Sequence, residues 1–197
     1  MSGSDPVQHL FWLSSRAFGV VAMILISLSV GVGLALAGRV SKRPGLPRKL
    51  KQLHESLALA GLLAIAMHGL LLLGDSYLRP GLAGIAVPFV LGHRALWTGL
   101  GVIAGWMSAI IVGSFYVRRW IGVKVWRWLH RWTLGVYGLG IVHTLGSGTD
   151  AKSVWLLALL GLTAAPIGLV ALARYRPGTR RRSRRPRSPS ELTATTT

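Results

Sequence analysis

The sequence predicts an all-α membrane protein, a bundle of five transmembrane helices with its N-terminus outside and its C-terminus in the cytoplasm. Three observations predict it. Half of the 197 residues are hydrophobic, 51%, and the mean hydropathy is +0.51. The apolar residues gather in five runs that approach the roughly 20 residues needed to cross a bilayer. The charge is lopsided, 23 Lys and Arg against 5 Asp and Glu, and the basic residues fall between the runs.

The runs lie near Leu13–Ala37, Leu53–Gly74, Ala95–Val117, Trp128–Gly146 and Val154–Ala173. Lipid gives the backbone no hydrogen-bond partner, so each spanning run is expected to be a helix. The connection "GRVSKRPGLPRKLK" holds six basic residues, "RRWIGVKVWRWLHR" five and the tail "ARYRPGTRRRSRRPRS" eight. If every run spans, all of these fall on one side. The other side receives Arg16, Arg79, Arg94 and Lys152. Basic loops stay in the cytoplasm, which fixes the orientation and suggests a multi-pass protein of the plasma membrane.

The chain divides accordingly into an outer segment 1–12, a membrane domain 13–173 and a basic, disordered cytoplasmic tail 174–197. The start, "MSGSDPVQHLFWLSSR", lacks the basic region of a signal peptide, so the first run is expected to remain in the mature protein. A net charge of +18 on a soluble chain would suggest nucleic acid. Here topology accounts for it, and anionic lipid is the expected partner of the basic loops and tail. The outer connection "GDSYLRPGLAGIAVPFVLGHR" carries a short apolar patch, Gly81 to Gly92, interrupted by Pro88. It is too short to span and fits an interfacial or re-entrant lid. Cysteine is absent, which removes disulfides, iron–sulfur clusters and covalent haem attachment.

Chemistry in this chain points to histidine. His9 and His93 lie in or near outer segments and read as ordinary. The other four divide between the second and fourth runs: His54 and His68 bracket "HESLALAGLLAIAMH", and His130 and His143 bracket "HRWTLGVYGLGIVH". A 14-residue step is about 3.9 turns, so His54 and His68 share a face about 21 Å apart along the axis. The two runs are parallel in a five-span topology. His54 then faces His130 at the cytoplasmic level, and His68 faces His143 at the outer level. Ionisable groups at membrane depth are functional candidates.

Imidazole is a good axial ligand for haem iron, and a facing pair leaves no open position, which suits electron transfer. Ala58, Gly61 and Ala64 lie near the helical repeat from His54 and offer room for a flat macrocycle. Gly135, Gly138 and Gly140 lie between the other two histidines. The competing reading is a set of packed, hydrogen-bonded membrane histidines among ordinary small interface residues. A zinc site fits less well, since zinc ligands converge in one small shell. The 13-residue step from His130 to His143 is about 3.6 turns, and on an ideal helix those rings miss one another's direction by about 140°. A bent or tightened stretch around Gly135–Gly140 is expected to correct part of this.

These four histidines, at a 14-residue step on one helix and a 13-residue step on the next but one, resemble the ferric reductase-like transmembrane domain. That group includes ferric reductases, NADPH oxidases and the haem subunit of bacterial methionine-sulfoxide reductase systems. "SSRAFGVVAMILISLSVGVGLALAGR" and "WRWLHRWTLGVYGLGIVH" are similar in style to its bacterial members. The resemblance covers about Ser14 to Ala173. It implies two non-covalent haems of b type, held by His54 with His130 and His68 with His143, that pass electrons across the membrane. It also implies that Arg16 serves the propionates of the outer haem; a snorkelling interfacial arginine is the other reading. Tyr137 and Trp132 are either inter-haem aromatics or packing residues.

The sequence departs from the full-length reductases in lacking a glycine-rich dinucleotide fingerprint, so no flavin or NAD(P) site is expected within it. The expected role is the membrane subunit of a multi-component oxidoreductase, a ferric or other extracytoplasmic reductase. Its donor would be a flavoprotein or quinol, and its acceptor would lie on the outer side. Two alternatives stand beside it: a haem-handling or structural membrane subunit without redox role, and a self-sufficient quinol-driven reductase. In the latter Glu55 would help at a cytoplasmic-side quinol site; otherwise it is a helix-start carboxylate favoured by the dipole.

Overall fold

A computed structural model describes residues 6–38, 45–148 and 150–175. Most of the basic tail, part of the first basic loop and the first five residues lie outside the described residues. Among the described residues every regular element is helical, in the order α1 (Pro6–Ala37), α2 (Leu46–Leu71), α3 (Gly81–Ala86), α4 (Ala95–Tyr116), α5 (Arg118–Ile121), α6 (Val123–Arg131), α7 (Thr133–Ser147) and α8 (Val154–Tyr175). Four of these regions, His9–Ala37, Leu46–Gly74, Ala95–Tyr116 and Val154–Ala173, are long and apolar enough to cross a membrane.

The polarity of the packing is that of a membrane protein. Leu63, Leu162, Leu169 and Leu172 are two-thirds exposed or nearly so, while Ser15, Ser27, Ser29 and Ser114 are buried. Lipid is as apolar as leucine, so helices associate through small residues and hydroxyls instead. The most extensive pairings are α1 with α2 and α4 with α7, and α8 packs along α1. At the centre, Tyr137 of α7 is buried with Val30 of α1 and Ile167 of α8. The Ser27 hydroxyl donates to the Met23 carbonyl at 2.6 Å, so the Tyr137 hydroxyl is the donor in its 2.8 Å bond to Ser27 Oγ. Tyr137 is thus a packing residue that ties α7 to α1.

Three details differ from the sequence expectation. First, α2 begins at Leu46, seven residues before the apolar run. Gly45 precedes it with φ 79, a conformation glycine adopts freely, and Pro47 sits in the first turn, where its missing N–H loses no bond. Glu55 therefore lies well inside the helix and is no helix-start carboxylate; its Oε1 accepts the Tyr116 hydroxyl at 3.3 Å.

Second, Gly61 makes room for a helix and not for a macrocycle. A Cβ there would meet Ile26 Cδ1 of α1 at 2.6 Å. Third, the fourth apolar run is broken. The interruption falls at Trp132, between α6 and the 15-residue α7, and not at Gly135–Gly140. The Trp132 amide bonds back to the Leu129 carbonyl at 3.0 Å, a three-residue closure. The Thr133 hydroxyl takes the His130 carbonyl at 2.6 Å. A threefold turn advances each residue about 20° further than an α-turn. Tightening just after His130 therefore rotates His143 in the direction that the 13-residue step requires.

The connection between α2 and α4 folds back on the bundle. α3 supplies one short turn, and the Trp106 indole of α4 donates to the Ala86 carbonyl at 2.8 Å. Phe89 turns with φ 66 and lays its ring against Gly99. Arg94 donates to the Gly146 carbonyl at 2.8 Å, placing a cation at the C-terminal end of α7, where the helix dipole favours it.

Candidate functional site

α2 and the kinked α6–α7 run bring the four histidines together as two pairs. The rings of His54 and His130 have centroids 6.0 Å apart and stand at 90°. Those of His68 and His143 are 6.2 Å apart at 72°. All four are half-buried. His9 and His93 are exposed on the surface. Among the described residues no three His, Asp or Glu side chains gather as one metal shell.

The spacing within each pair has a simple chemical meaning. An imidazole–metal bond is about 2.0 Å, so one metal between two opposed rings puts their centroids roughly 6 Å apart. Direct stacking or a hydrogen bond between the rings would bring them closer, while an edge-to-face contact shares this distance and angle. One nitrogen from each ring is a donor set that fits a bis-imidazole haem iron.

The ring nitrogens are assigned by their neighbours. His54 Nδ1 lies 2.8 Å from the Ser29 carbonyl and His68 Nδ1 2.8 Å from the Ser15 carbonyl, both on α1. His143 Nδ1 lies 2.9 Å from the Trp97 carbonyl on α4. A carbonyl only accepts, so each Nδ1 carries the proton and each Nε2 is left with a free lone pair. The serine hydroxyls add a second contact: Ser15 Oγ donates to the His68 carbonyl at 2.7 Å and Ser29 Oγ to the His54 carbonyl at 3.2 Å. Both serines are buried.

This arrangement makes α1, which carries neither pair, the wall against which both α2 rings rest. Ser15 and Ser29 are 14 residues apart, as are His54 and His68, and the antiparallel helices put the two steps in register. The serines were not singled out from the sequence. The matching 14-residue step was the available signal.

His130 is seated differently. Among the described residues its ring nitrogens make no hydrogen bond; instead Trp126 stacks on it at 5.5 Å and 26°. The indole Nε1 of Trp126 is buried without a hydrogen-bond partner. Arg16 is joined to Asp150 by an ion pair and lies over the Trp12 ring at 4.5 Å. It neighbours Ser15 and so sits at the level of the His68–His143 pair. Trp132 is half-exposed and meets Trp128 edge-on at 6.3 Å. Comparison with protein-family models, curated proteins and solved structures returns no match.

Proposed function

We propose that this chain is a transmembrane electron conduit in which two histidine pairs each hold one b-type haem. The observation that carries the reading is the pair geometry: two edge-to-face imidazole pairs whose separation would admit one metal each, both sharing α2. The helical steps, the Nδ1–H tautomers and the resemblance to ferric reductase-like membrane domains support it.

The reading includes a five-span topology with the basic loops in the cytoplasm. The kinked α6–α7 run completes the fifth crossing, α6 lying at the basic interface and α7 rising into the bilayer. His54 and His130 then form the cytoplasmic-side site and His68 and His143 the outer one. Haem held by these two histidine pairs would supply one-electron chemistry. The residues do the rest. Carbonyls of α1 and α4 fix the tautomers of His54, His68 and His143, so the Nε2 of each of these three is a ready donor. Apolar α1 and α4 keep water from the rings. Arg16, at the outer level, offers a cation to a propionate, for which Asp150 would have to yield. A flavoprotein or quinol is the donor, and the acceptor lies on the outer side.

Protein purified after expression with ample haem should give a b-type spectrum on dithionite reduction. In liposomes it should let an external impermeant reductant reduce trapped ferricyanide, and His68→Ala should stop that transfer. Bound haem without transfer would favour the haem-handling alternative, and colourless protein would end the proposal.

A further inference from the structure

Three of the four histidine rings are seated by one repeated device. In an α-helix the carbonyl of residue i already accepts the amide of residue i+4, and its second lone pair points outward. The side chain of residue i+4 leans back over the turn before it and covers that lone pair. A glycine at i+4 leaves it open. The three carbonyls that receive an Nδ1–H belong to Ser15, Ser29 and Trp97. The residues four positions on are Gly19, Gly33 and Gly101.

In each case the imidazole fills the space that a side chain would take. A Cβ on Gly19 would meet His68 Nδ1 at 3.1 Å, and one on Gly33 would meet His54 Cε1 at 3.1 Å. A Cβ on Gly101 would collide with the His143 ring, its Cε1 standing 2.5 Å away and Nδ1 closer still. Other glycines on the same helices do not do this: a Cβ on Gly31 of α1 would meet nothing within 4 Å, and one on Gly105 of α4 only Ile65 Cγ2 at 3.6 Å.

We propose that Gly19, Gly33 and Gly101 are positioning residues. Each uncovers the helix carbonyl four residues earlier, so that one imidazole docks through Nδ1–H and presents Nε2 to its partner ring. The inference deepens the two-pair reading and rests on it for its role, though not for its geometry. It also divides the pairs. His68 and His143 are each held by such a seat, whereas His54 has one and His130 has none.

The test uses Gly19→Ala, Gly33→Ala and Gly101→Ala, with Gly31→Ala and Gly105→Ala as controls. In purified, haem-loaded protein the readouts are the low-spin ferric EPR signals, the two midpoint potentials and haem retention. Gly33→Ala should change the His54–His130 signal alone. Gly19→Ala and Gly101→Ala should change the His68–His143 signal alone. Retention at the affected site should fall about tenfold, the lower end for loss of a partner behind a metal-bound histidine. The controls should change neither signal.

Gly19→Ala and Gly33→Ala need only small movements and guard against misfolding of Gly101→Ala. Histidine 15N NMR on haem-free protein reads the tautomers independently, and the Nδ1–H form of His68 or His54 should be lost in the matching variant. Tautomers that respond in a chain that takes no haem keep the seats and overturn the haem reading. Haem signals that do not respond, or that shift together or equally in the controls, overturn the seats.

Discussion

The His54–His130 and His68–His143 pairs have nearly the same ring separation, 6.0 and 6.2 Å, yet they are held in different ways. The second pair is clasped from outside by two helix carbonyls, on α1 and α4. The first has one carbonyl, on α1, and a stacked indole in place of the other. Equal spacing with unequal support teaches that opposed rings can be placed by the helix scaffold, while their rotation is fixed separately by whatever their Nδ1 atoms touch. A hydrogen bond to Nδ1 raises the ligand's basicity and orients the ring. The His130 ring, held by ring contacts to Trp126 and His54 without a hydrogen bond among the described residues, is the one most free to turn about its own axis.

The largest expected effect that would break this comparison is at the rings themselves. His68→Ala or His143→Ala should leave one haem per chain, at His54 and His130, and His54→Ala or His130→Ala should do the reverse. Haem staining and pyridine haemochrome assay check it, and loss of both haems in any single variant would mean that the pairs are not separate sites. A smaller effect sharpens the contrast. Trp126→Leu should loosen the His54–His130 site only, by about 1 kcal/mol for an aromatic contact. Transfer of haem to an acceptor protein would show this as a several-fold faster phase of half the amplitude.

The regions that both pairs share should respond less, and without preference. Tyr137→Phe removes the hydrogen bond to Ser27 and should lower stability by about 0.6 kcal/mol, a usual value for such bonds between membrane helices. Unfolding in mixed micelles measures it, and both haem signals should persist. Least of all, the coupling between Arg16 and Asp150 in a double-mutant cycle should be about 0.5 kcal/mol, since both side chains are a quarter to a third exposed. A larger coupling would give that ion pair a structural weight which its exposure does not suggest.

Much of this was legible in the residues. Four of the five apolar runs gave membrane-length helices in the expected order, and the 14-residue step on α2 gave two rings on one face, because both follow from local periodicity. The break at Trp132 was not legible. It depends on a tightened turn closed by Leu129 and Thr133, and the nearby glycines were a more obvious place for it. The roles of Gly61, Ser15 and Ser29 were hidden for a related reason. What a small residue admits, a helix or a ring, is decided by the element packed on it. The seats at Gly19, Gly33 and Gly101 join residues far apart in the chain and emerge only when α1 and α4 lie against the histidines.

The central claim, that two imidazole pairs each hold a haem, is tested most directly by the haem-to-protein ratio and ferric EPR of the purified chain. The account predicts about two haems per chain, both low-spin. Both signals should be highly anisotropic, because the ring planes stand at 90° and 72°. A ratio near zero, or a single high-spin haem, would contradict it.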